Sequence, residues 1–226
     1  MYPISFDADY EVERNRLTTF FRPLVAIPWI LWAYVYGIAA SVVVIIAWFA
    51  VLFSKRYPRG MYDFVANYLR FQTRVGAFLV LLTDELPPFG GGPRDDYPVR
   101  VGFSAPQPEY RRSRTFFKLL LAFPQQVLLY GVLILAYGAA LISWFRILFT
   151  GRQSITMHDP LQLSMAYFTR VNGFTYLLTE AHPRLLEVDP KPVPAGAPGL
   201  LYSGEDPELL PPAAAQAAAP PPPQAG

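Results

Sequence analysis

The chain has 226 residues, 53% of them hydrophobic and only 16% charged, against roughly a quarter charged in soluble domains. A net charge of +2 gives no electrostatic case for nucleic acid, and the absence of cysteine excludes disulfides, thiolate chemistry and Cys-ligated metals. Residues 1–24 mix acids and bases and lack the layout of a cleavable leader, so the first apolar run is expected to direct insertion and stay in place.

Taken in chain order, Tyr2-Pro3-Ile4-Ser5-Phe6 alternates apolar and polar positions and predicts a short strand with one wet face. Arg14, Arg16 and Arg22 flank Phe20-Phe21 and predict an amphipathic interfacial segment, its bases at headgroup level and its phenylalanines dipping into lipid. Val25 to Phe53 carries no charge. From Pro28 it extends 26 residues, about 39 Å at 1.5 Å per residue, more than a hydrocarbon core of roughly 30 Å. A long transmembrane helix with interfacial Trp29, Trp32 and Trp48 is the expectation. Ser54-Lys55-Arg56-Tyr57-Pro58-Arg59-Gly60 reads as a basic turn.

Met61 to Leu82 is about 20 residues long and carries Asp63, Asn67, Arg70 and Arg74 on one polar stripe. Such a helix crosses with its stripe facing protein, or lies shallow or re-entrant in the interface. Charge at the bilayer centre costs at least about 2.5–3.5 kcal/mol per residue. Two hairpins with four crossing helices are the preferred arrangement, and the shallow placement is the alternative.

The rest of the chain repeats this plan. A shift of 96 (116 − 20) carries Phe20-Phe21 onto Phe116-Phe117, Pro28 onto Pro124, Trp48-Phe49 onto Trp144-Phe145 and Arg74-Val75 onto Arg170-Val171. It also carries Leu81-Leu82-Thr83-Asp84 onto Leu177-Leu178-Thr179-Glu180. Tyr97-Pro98-Val99 repeats Tyr2-Pro3-Ile4. Fixed self-similarity of this length is a duplicated membrane unit rather than a solenoid. The domains are therefore 1–89, a plain linker at 90–96, 97–188, and a Pro/Ala-rich tail at 189–226 too poor in apolar surface to order. The two strands are expected to pair with each other outside the membrane, in parallel, with both units starting on one side. The fold class is an all-α integral membrane protein built by tandem duplication.

No catalytic constellation stands out. His158 and His182 fall on Tyr62 and Leu86 of the first unit and have no second ligand at metal spacing. Asp84-Glu85 reads as a solvated helix end, and no phosphate loop or nucleophile elbow is present. Two groups of candidates remain. Asp63, Arg74, Asp159 and Arg170 are kept by both units, and antiparallel second helices could pair Asp63 with Arg170 and Asp159 with Arg74. Arg22, Lys55, Arg56, Arg59, Lys118 and Arg152 are candidate headgroup contacts.

The Ala26-Ile27-Pro28 and Ile46-Ala47-Trp48-Phe49 segments, the Arg56-Tyr57-Pro58-Arg59-Gly60 turn and Leu82-Thr83-Asp84-Glu85-Leu86-Pro87-Pro88-Phe89 resemble a bacterial membrane family, domain of unknown function 4389. The resemblance runs over roughly residues 2–185, weaker in the second turn, Gln153-Ser154-Ile155-Thr156. It implies membrane residence and supplies no activity, catalytic residue or cofactor. The expected role is a non-catalytic structural, accessory or partner-docking component of the cell membrane, multi-pass, with cytoplasmic termini. Its partners are the lipid bilayer and a membrane protein or a second copy, not nucleic acid. The alternative is a small transporter or channel.

Overall fold

The computed structural model describes residues 2–94 and 96–183. The tail read as disordered lies outside them. The element order is β1 (Ile4–Ala8), α1 (Arg16–Ser54), α2 (Arg59–Leu79), β2 (Val99–Phe103), α3 (Arg112–Thr150) and α4 (Ile155–Thr175).

The two strands pair with each other, but antiparallel rather than parallel, with Ile4 opposite Phe103, Phe6 opposite Val101 and Ala8 opposite Val99. Phe6 and Val101 are equivalent positions of the two units (101 − 6 = 95), so the repeat symmetry axis passes between them. Ile4, Phe6, Ala8, Val99, Val101 and Phe103 are buried, and Ser5, Asp7 and Arg100 take the other face, as alternation requires.

Each long helix is a single element of 39 residues, about 58 Å. The basic approach segments expected as separate interfacial helices are the first turns of α1 and α3. Asn15 starts α1 by accepting the backbone N–H groups of Leu17 and Thr18. Pro23 lies inside α1 and has no N–H for the carbonyl four residues back. That carbonyl, of Thr19, accepts the indole N–H of Trp144 at 2.8 Å. The symmetry mate is Trp48 donating to Thr115 at 3.0 Å. Trp48, read as an interfacial anchor, is thus a clasp between the units.

Helix α1 packs on α2 and α3, α3 packs on α4, α2 meets α4, and the strands sit on the second helices, β1 on α4 and β2 on α2. The molecule is therefore layered: sheet, then α2 with α4, then α1 with α3. Thr73 and Thr169, 96 residues apart, share a hydroxyl hydrogen bond of 3.1 Å in the middle layer, again on the symmetry axis. Core residues such as Val65, Leu69, Leu161 and Met165 come mostly from the inner layers.

Candidate functional site

One set of buried polar groups gathers where helix ends meet, and it follows the repeat. Helix α2 ends with Leu81 in the left-handed region, φ 67°, and α4 with Leu177 at φ 66°. In each, the next residue reaches back into the helix (Leu82 to Ala77, Leu178 to Gly173), closing a Schellman cap. A cation from the first turns of the long helix then sits on the exposed carbonyl end, where the helix dipole is negative. Arg22 donates to the carbonyls of Phe78 and Thr83, lies over the Phe78 ring and forms an ion pair with Asp84. Lys118 donates to Thr179 at 2.5 Å over the Phe174 ring. Asp84 also accepts the backbone N–H of Asn15, as Glu180 accepts that of Arg111.

Arg22 and Lys118 are 2% and 4% exposed, so neither is a headgroup contact as expected from the sequence. Their side chains turn inward because the free carbonyls of α2 and α4 lie one helix away. Burial lowers the Lys118 ammonium to about 7, with the Glu180 charge opposing the shift. Asp84, read as a solvated helix end, is the hub joining α1 to the end of α2. Repetition of Leu-Leu-Thr-Asp as Leu-Leu-Thr-Glu, beside a basic residue repeated at 22 and 118, was the available signal.

The polar stripe of α2 faces protein. Arg70 donates through Nε to Val101 at 3.0 Å and through Nη1 to Asn67 and to the Gly91 carbonyl at 2.8 and 2.6 Å. Arg74 donates to Gly92 at 3.0 Å and lies over the Tyr97 ring, 5.4 Å from its centre. Burial pushes the Arg70 guanidinium down to about 10, and the like charge of Arg74 adds to it, so it stays charged at neutral pH. The segment read as a plain linker is therefore bound to α2 by two arginines. Gly91 fits because a Cβ there would fall on the Asn67 carbonyl.

The charge pairs expected between repeats do not form. Arg74 is occupied as above, and Arg170 lies over the ring of Tyr2, 5.3 Å away. Asp159 is largely exposed beside His158, and Asp63 lies partly buried on α2. The same pair of arginines does help to join the units, each over the first tyrosine of the opposite repeat: Arg74 with Tyr97 and Arg170 with Tyr2. Lys55, Arg56, Arg59 and Arg152 are exposed. His158 packs edge-on against Tyr10 and His182 stacks on Phe174. Among the described residues no cluster of His, Asp or Glu has the make-up of a metal site.

Outside this network the largest surface feature is apolar. Arg16–Ser54 and Leu120–Thr150 are long and apolar enough to cross a membrane. Little of either is covered: Leu31, Ile38 and Phe53 on α1 are 62%, 55% and 73% exposed, and Leu135 and Phe149 on α3 are 75% and 79% exposed.

No curated protein and no solved structure matches the chain. The family described as Domain of unknown function (DUF4389) matches twice, over residues 16–90 and 112–186. Each match begins where a long helix begins and ends past the Schellman cap and its acidic residue. Together they cover more than half of the sequence, and the chain belongs to this family as a tandem pair of its domains.

Proposed function

We propose that the protein is a non-catalytic structural or partner-docking component of the bacterial cell membrane, with both termini on the cytoplasmic face. The observation that carries this reading is the outer layer of α1 and α3, whose uncovered face is apolar from Phe20 to Phe53 and from Phe116 to Phe149, with Arg146 near its end. Soluble monomers rarely expose contiguous apolar patches beyond a few hundred Å². Partners fitting this surface are the lipid bilayer and, within it, a membrane protein or a second copy. The buried cations support a structural role: Arg22, Arg70, Arg74 and Lys118 are engaged by carbonyls and rings that hold loops and helix ends. Arg70 and Arg74, the mid-helix charges that a transport path would need free, are committed to the segment at 91–92 and to β2.

The test is extraction. Expressed in a bacterial host, the full chain should sediment with membranes, resist alkaline carbonate and high salt, and dissolve in mild detergent. Release by carbonate alone would remove the reading.

A further inference from the structure

We infer that the protein sinks into one leaflet without crossing it, with α1 and α3 lying in the plane of the bilayer and the sheet on the water side. This rests on the membrane residence proposed above and replaces the two-hairpin crossing expected from the sequence.

The argument begins with the sheet. Strand β2 lies along the middle of α2: Val101 is held by Arg70, Tyr97 lies under Arg74, and Ser104, just past the strand, accepts from the Tyr62 hydroxyl. The sheet is thus level with the helices' midsections and not beyond their ends. Its outer face carries an ion cluster in which Arg100 meets Asp7 at 2.5 Å and Asp9 at 2.6 Å, partly exposed. If the helices stood upright, this cluster and both edges of the two-stranded sheet would lie at the bilayer midplane. Charge there is strongly disfavoured, and open sheet edges do not occur in contact with lipid.

Helix length agrees. An upright α1 of about 58 Å overruns a core of roughly 30 Å, whereas a helix lying in the plane has no such limit. So do the bases. Exposed Arg16 stands at one end of α1 and Arg56 at the other; exposed Arg112 and Arg152 stand likewise on α3. Upright helices would place equal positive charge on both faces of the membrane, against the usual asymmetry. Lying flat, they put all four at one headgroup level. The symmetry axis through Phe6–Val101 and Thr73–Thr169 then runs along the membrane normal. The layers follow in order of polarity: charged sheet in water, α2 and α4 near the headgroups, α1 and α3 in the acyl chains.

Because the chain lacks cysteine, sidedness can be read directly. Single variants Ser5→Cys, Arg16→Cys, Arg56→Cys, Arg112→Cys and Arg152→Cys, all at exposed positions, would be made in the full chain. Sealed vesicles from the expressing cells would be treated with a membrane-impermeant maleimide, before and after detergent. One-leaflet insertion predicts that all five sites label alike, within about twofold, and gain alike on lysis. A tenfold or greater difference between Arg16→Cys and Arg56→Cys, abolished by detergent, would mean that α1 crosses and would overturn the inference while leaving membrane residence intact. Recovery of the protein in the soluble fraction as a dimer would show the apolar layer covered by a second copy and would remove both readings.

Discussion

The two repeats solve the same problem with different chemistry. In the first, the carbonyl end of α2 is met by an arginine paired with Asp84; in the second, the end of α4 is met by a lysine that has no ion pair within 4.0 Å among the described residues. In the first, α1 ends on Lys55 at φ 59°; in the second, α3 ends on Gly151 at φ 71°. Arg70 anchors β2 and the segment after α2, while its counterpart is Ala166. The geometry is kept where the side chain is not. What the duplication preserves is a cation on a capped helix end and a left-handed residue after each long helix.

Substitution at the paired positions separates these solutions. The largest effect is expected from Arg22→Met, which leaves Asp84 with only the more distant Arg14 at 3.9 Å and takes the donor from the Thr83 carbonyl, and should cost about 3 kcal/mol. Lys118→Met removes a group with no ion pair within 4.0 Å among the described residues, so it leaves no carboxylate short of a partner and should cost much less. Thermal unfolding in detergent at pH 7 compares the two, and equal losses would make the repeats chemically equivalent. Next is Gly91→Ala, expected to cost about 3 kcal/mol because the Asn67 carbonyl cannot yield as a side chain would. Gly131→Ala on α3, with nothing within 4 Å, should be neutral or stabilising and serves as its control.

The pH dependence of Lys118 comes third. Its folded pKa is lowered from 10.5 to about 7, so between those values the unfolded chain binds the proton and the folded chain does not. Stability contributed by this group therefore rises as pH climbs through that window, by at most about 1.4 kcal/mol for each step of one in pH. The melting temperature should rise across that range for the native protein and lose the increment in Lys118→Met. Thr73→Val removes the donor to the Thr169 hydroxyl, which keeps its own bond to the Met165 carbonyl at 2.8 Å, and should cost no more than about 1 kcal/mol. The smallest change is Lys55→Gly, which relieves a left-handed lysine and should stabilise by no more than about 1 kcal/mol, against a similar loss for Gly151→Ala.

Periodicity and the 96-residue shift reveal the long helices, the strand pair and the tandem plan, because apolar spacing and repetition are properties of the string itself. Direction is different. The strands alternate identically whether parallel or antiparallel, and only the meeting of Phe6 with Val101 across a symmetry axis decides it. The polar stripe of α2 is legible, but not that Arg70 and Arg74 choose backbone carbonyls and rings over aspartates. That choice depends on a glycine-rich segment passing close enough for Gly91 to touch Asn67. Arg22 and Lys118 look like any juxtamembrane base until the ends of α2 and α4 arrive beside them.

The clasps between the units have one further consequence. Trp48 closes on Thr115 and Trp144 on Thr19; the N–H of Arg14 reaches the Gly151 carbonyl, and that of Tyr110 reaches Lys55. Each unit is completed by groups it does not own, so the chain amounts to a homodimer fused into one polypeptide. A chain with a single copy could satisfy the same bonds only by finding a twin, and its folding would then depend on its concentration in the membrane. Covalent linkage replaces that search with a fixed effective concentration. It also frees the copies from being identical: one holds an arginine and the other a lysine at the same helix end.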